Sequence, residues 1–66
     1  MKIINHIDAI RLAKNISVED VALESDIKPS SLSKIRNNIS NPTLLTAFSI
    51  AKTLNTPIEK VFEVVE

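Results

Sequence analysis

The sequence contains no cysteine, glycine, tryptophan or tyrosine, and its 66 residues include one histidine and two phenylalanines. Without cysteine there is neither a disulfide framework nor a thiolate metal site, and the lone His6 cannot complete a histidine-based one, so no metal is expected. Without glycine there are no phosphate-cradling loops of Walker or dinucleotide-binding type, which need glycine where the backbone approaches phosphate. Nucleotide-driven catalysis is therefore not expected, and no other cofactor suggests itself. No histidine follows Ser17 to act as its base, and no pair of acids or metal ligands can be assembled, so the chain does not read as an enzyme. No run of about 18 apolar residues occurs, nor an N-terminal basic-then-apolar segment ending in small residues. Neither a membrane span nor a secretory leader is expected, and the chain reads as soluble and cytoplasmic.

Hydrophobic residues nevertheless make up 44% of the chain. With only Phe48 and Phe62 aromatic, the core must be aliphatic, which favours packed helices. The length allows one small domain spanning residues 1–66. Such a core rarely supplies more than about 3–5 kcal/mol without disulfides or metal, and small scaffolds often oligomerise, so a homodimer is expected.

Formal net charge is zero, which argues against a generic polyanion binder. The distribution says more than the sum. From Asn15 to Asp26 the charges are Glu19, Asp20, Glu24 and Asp26, all negative; from Ile27 to Ile58 they are Lys28, Lys34, Arg36 and Lys52, all positive. Acids resume at Glu59, Glu63 and Glu66, so one surface can meet phosphates while the rest keeps the chain near neutral.

Ile7, Ile10 and Ala13 recur at helical spacing and predict a helix from about Asn5 to Lys14. Ser17 can cap a second, from Val18 to Ser25, with Glu19 and Asp20 in the first turn where the helix dipole favours negative charge. Asp26-Ile27-Lys28 is a tight connection, and Pro29 suits the first position of a third helix running to about Asn37. The turn formers from Asn37 to Pro42 make a loop, and Thr43 caps a fourth helix whose buried stripe is expected to be Leu44, Ala47, Phe48, Ala51 and Leu54. Asn55 can end it in the left-handed conformation. Pro57 opens a short fifth helix to Val61, after which Phe62-Glu63-Val64-Val65 alternates like a strand, with Lys2-Ile3-Ile4 as its partner.

Two short helices joined by a tight turn, the second rich in Ser, Lys and Asn, form a pattern known from major-groove readers. The stretch from Ser17 to Asn38 resembles the helix-turn-helix of the Cro/CI-type, or xenobiotic-response-element, regulators of bacteria and phage. Ala22 matches the pattern's small residue, and Val21, Ile27, Leu32 and Ile35 match its apolar positions. Asn41-Pro42-Thr43-Leu44, Ile50-Ala51-Lys52-Thr53-Leu54-Asn55 and Ile58-Glu59-Lys60-Val61-Phe62 look like the family's fourth and fifth helices, so nearly the whole chain is covered. The layout is similar to that of small stand-alone repressors whose terminal strands pair beside a five-helix dimer.

The resemblance implies an all-α, five-helix lambda-repressor-like domain that binds double-stranded DNA as a homodimer, most simply a repressor on a pseudo-palindromic operator. It places Pro29, Ser30, Ser33, Lys34 and Asn37 toward bases. Lys34 can donate to guanine O6 and N7, and Asn37 can satisfy adenine N6 and N7. Ser17, Lys28, Arg36, Asn38, Ser40, Asn41 and Thr43 are the implied phosphate contacts. Ile39, Leu23 and the Phe62-Val64-Val65 tail are apolar where loops and ends are usually polar, and Ile39, Ile58, Phe62 and Val64 are the expected dimer surface. No pocket for a small-molecule ligand is evident.

Three positions depart from the family pattern. Val18 stands where Gln is usual, Asp26 where Gly is usual, and Arg36 where a Glu usually pairs with the arginine found here as Arg11. Arg11 must therefore find Asp8 or another acid, or Arg36 must swing toward DNA. Few basic residues imply weak non-specific binding with a shallow salt dependence. Zero net charge and the missing Gln also fit an alternative on the same fold, an antitoxin-like or regulator-binding protein-interaction module.

Overall fold

A chain without glycine must turn its helix ends with other residues, and this requirement organises the whole molecule. The computed structural model describes residues 1–66 and runs β1 (Lys2–Asn5), α1 (Ile7–Ala13), α2 (Val18–Ser25), α3 (Pro29–Arg36), α4 (Leu44–Thr53), α5 (Ile58–Val61) and β2 (Phe62–Val65). Each of α1 to α4 is followed by a residue with positive φ: Asn15 (60°), Asp26 (57°), Asn38 (58°) and Asn55 (51°). The next residue's N–H then reaches back to the helix's last turn, Ile16 to Arg11 O, Ile27 to Ala22 O, Ile39 to Lys34 O and Thr56 to Ala51 O. This is the helix-ending motif that glycine usually serves, carried here by Asn and Asp because they tolerate the left-handed region better than other residues. Asp26→Gly is therefore expected to stabilise the fold by about 0.5 kcal/mol, and Asp26→Ala to destabilise it by about 1 kcal/mol, read as thermal midpoints.

Helix starts follow side-chain oxygens. Ser17 Oγ accepts from Asp20 N–H at 3.1 Å and Thr43 Oγ1 from Thr46 N–H at 3.2 Å, satisfying amides that have no partner within the helix. Pro29 occupies the first turn of α3. The helix expected from Asn5 to Lys14 is shorter, because Asn5 belongs to β1 and the strand pairing claims the chain before the helix begins. Likewise α3 stops at Arg36, with Asn37 at its cap. The antiparallel pair of chain ends forms as expected and extends one residue further, with Lys2 opposite Val65 and Asn5 opposite Phe62.

Ile7, Val21, Leu32, Ile50, Leu54 and Val61 are fully buried and draw together all five helices. The stripe expected on α4 is only half right. Ala47, Ala51 and Leu54 are buried, but Leu44 is 72% and Phe48 53% exposed, and Ile50 takes the central core position. Ala47, Ile50, Ala51 and Leu54 satisfy the same i, i+3, i+4, i+7 period. A helix that is apolar around most of its circumference does not announce which stripe faces inward.

Candidate nucleic-acid interface

The Asp26-Ile27-Lys28 turn sets α3 against α2. Ile27 packs on the core, Asp26 takes the left-handed conformation, and Lys28 is extended ahead of Pro29. Leu32 and Ile35 then face inward, which leaves Pro29, Ser30, Lys34 and Asn37 exposed and Ser33 half-buried. Three serines in the first five residues of α3 keep that surface low, so a partner can approach the backbone closely.

Beside it, Lys28, Ser31, Lys34, Ser40, Asn41 and Thr43 line one open groove between the turn, α3 and the start of α4. Five of the expected base or phosphate contacts thus converge on one surface. Ion pairs join only His6 to Glu63 and Asp8 to Arg11 and Arg36, so the ammonium groups of Lys28 and Lys34 are unpaired. They provide positive potential without an internal counter-charge.

The other expected contacts are differently placed. Ser17 Oγ caps α2, whose first turn carries exposed Glu19 and Asp20, a setting that disfavours an added anion. Asn37 Nδ2 donates to Ser33 O at 2.9 Å within the helix, so its amide must be released to serve adenine. Asn38 Oδ1 accepts from Asn5 Nδ2 at 2.9 Å.

Arg36 does not point to solvent: its Nε and Nη2 donate to the two oxygens of Asp8 at 2.8 and 3.1 Å. Arg11 Nε donates to Asp8 Oδ1 at 2.8 Å. One carboxylate thus separates the two arginines and ties α1 to the end of α3. The Arg36 hydrogen bonds hold the Asp8 carboxyl below its ordinary range, against the opposing effect of burial and with help from Arg11; the same contact raises the Arg36 guanidinium. Because Asp8 ionises more easily in the folded state, its stabilisation is complete above the unfolded-state value and is lost as pH falls through the folded-state one. The Asp8 side chain is 44% exposed, so screening keeps the effect near 1 kcal/mol. Urea midpoints are expected to fall below about pH 4 in the wild type and less steeply in Asp8→Asn, which is already destabilised by about 1 kcal/mol at pH 7.

Of the expected dimer residues, Ile39 and Val64 are exposed, while Ile58 and Phe62 are half-buried against the core. Leu44, Leu45 and Phe48 form exposed apolar surface on α4 that the helical period had partly assigned to the interior. Phe48, Pro57 and Ile58 line one shallow depression between α4 and α5.

No helix is long and apolar enough to cross a membrane. A helix-turn-helix family model matches residues 7–61. No curated protein matches the chain significantly. Among solved structures the chain is similar to the restriction-modification controller protein C.AhdI from Aeromonas hydrophila, with a TM-score of 0.76 and 22% identity over 82% of each chain. A candidate DNA-binding protein from Bacteroides fragilis superposes with a TM-score of 0.81 and 20% identity, covering 92% of this chain and 98% of that one. The restriction-modification controller C.Esp1396I shares 33% identity at a TM-score of 0.70, over 77% of this chain and 66% of that one.

Proposed function

Because this chain belongs to the Cro/CI-type helix-turn-helix family, we propose that its work is sequence-specific binding of double-stranded DNA as a homodimeric repressor of transcription. The observation that carries this reading is α3: buried Leu32 and Ile35 on one side, a low surface of exposed Ser30 and Lys34 with half-buried Ser33 on the other, and Lys28 and Lys34 without internal counter-charge. With α3 in the major groove, Lys34 donates to guanine, Pro29, Ser30 and Ser33 lie against the base edges, and Asn37 reaches adenine once its amide leaves Ser33. Lys28, Ser40, Asn41 and Thr43 grip phosphate from the groove, with Asn38 adding a polar contact, Arg36 remaining on Asp8 and Ser17 remaining a cap of α2. The similarity to two proteins described as restriction-modification controllers supports a regulatory role.

The dimer is built from the apolar surface of α4 and α5, Phe48 and Ile58 at its centre, with Ile39, Phe62 and Val64 as the flanking contacts. Two copies of α3 then enter successive major grooves about 34 Å apart. The test is selection of bound sequences from a random duplex pool at low and moderate salt. An enriched inverted repeat with half-sites one helical turn apart is the expected result. Folded protein that enriches nothing at either salt overturns the proposal. That outcome favours the protein-interaction module, which the capture of both Arg11 and Arg36 by Asp8 also supports.

A further inference from the structure

The C-terminal end of α3 is held by a residue from the far end of the chain, Asn5, the last residue of β1. Its Nδ2 donates to Ile35 O at 2.8 Å, Arg36 O at 3.0 Å and Asn38 Oδ1 at 2.9 Å, while its Oδ1 accepts from Ile7 N–H at 3.0 Å. Carbonyls in a helix's last turn have no partner inside the helix. Ser40 N–H, the residue that would continue the helical ladder to Arg36 O, goes instead to Lys34 O at 3.3 Å. Asn5 therefore supplies the hydrogen bond that Arg36 O lacks, and with the same group closes the first turn of α1.

Only a carboxamide has the parts for this. It presents two N–H donors and a carbonyl acceptor on one short stem, with one of the two N–H groups shared between two of the three oxygens. Aspartate keeps the acceptor for Ile7 but turns oxygen toward three oxygens, and serine is too short to reach across. Burial of Leu32 and Ile35 fixes the inward face of α3 as far as its last turn, yet the residues that follow it have little core to lean on. Asn37, Asn38 and Ile39 are all exposed. Asn5 and the Asp8–Arg36 pair are what tie that end to α1 and the terminal sheet.

We infer that Asn5 is a positioning residue for DNA reading, a latch by which β1 sets the last turn of α3 and the loop that follows it. The inference rests on the DNA-binding reading above. Asn5 touches no base or phosphate; it acts through the backbone of Ile35 and Arg36 and through Asn38. The latch has to matter most for discrimination, because base contacts tolerate displacement of about 0.5 Å, whereas attraction of lysines to a phosphate backbone is tolerant of geometry.

The test compares wild type, Asn5→Ser and Asn5→Asp on the selected operator and on a scrambled duplex of equal length, at a temperature where circular dichroism shows each variant folded. Operator affinity is expected to fall about tenfold while scrambled-duplex affinity changes less than about twofold, so the specificity ratio collapses in a folded protein. A ratio unchanged in both variants overturns the latch while leaving DNA binding intact. A wild type with no preferred duplex overturns the latch and the DNA reading together. Should both Asn5 variants unfold, Asn38→Gly decides. It removes the Oδ1 acceptor and relieves the positive φ, so it folds. A lowered ratio supports the latch; no change, or an equal fall on both duplexes as from a lost phosphate contact, overturns it.

Discussion

Leu32→Ala is expected to leave the isolated domain largely unfolded at room temperature. Leu32 is fully buried at the centre of α3, and truncating such a leucine removes its transfer free energy and leaves a cavity, together about 2.7–5 kcal/mol. A core of this size, without disulfide or metal, supplies about 3–5 kcal/mol in all. The substitution therefore consumes most or all of the margin. Circular dichroism with urea titration reads the loss directly. Leu23→Ala is the matched control, because Leu23 is 78% exposed and surface changes usually stay within about 0.5 kcal/mol. If the proposed operator binds only the folded form, a saturating duplex should restore helix signal to Leu32→Ala by mass action. A variant that melts like the wild type would mean that α3 is held chiefly by its polar ties to α1.

Lys34→Ala is expected to have the opposite profile, intact folding and lost recognition. The side chain is exposed and unpaired, so stability should move little. If each Lys34 of a dimer reads guanine, its loss costs about 1–3 kcal/mol per half-site, which for two half-sites is about 30-fold or more in affinity. The loss should be concentrated at one base pair of each half-site, and the variant should accept substitutions there that the wild type rejects. Lys28→Ala, at the groove's edge, should instead weaken all duplexes alike and flatten the salt dependence, as a phosphate contact does. Anisotropy titrations of both variants against the operator and its single-site changes distinguish the two roles. Equal behaviour of Lys34→Ala and Lys28→Ala would assign Lys34 to phosphate.

What the linear sequence made legible was local. Ser17, Pro29 and Thr43 mark helix starts, and Asn55 marks an end, through contacts a few residues long; the helix pair and its tight turn could therefore be placed from sequence. The inward face of α4 could not. Leu44, Leu45, Ala47, Phe48, Ile50 and Ala51 fit two helical stripes equally well, and only packing against α2 chooses Ile50 over Phe48. The role of Asn5 was also hidden, since its partners lie some 30 residues along the chain and an asparagine near a strand end carries no signal of what it will meet. Arg36 was ambiguous for a related reason. Its departure from the family pattern was visible, but only the placement of Asp8 between two arginines decided its neighbour.

The strand pair that joins Lys2 to Val65 also orders events in time. Its contacts span nearly the whole chain, so closing it carries the largest loop-closure entropy in the molecule, whereas the turn between α2 and α3 closes at little cost. The helices can therefore dock early and the sheet must follow. Since Asn5 reaches α3 from the end of β1, α3 acquires its final setting only when β1 and β2 have met. A chain in which β1 and β2 have not yet paired therefore holds a formed α3 whose last turn is not yet tied to the sheet.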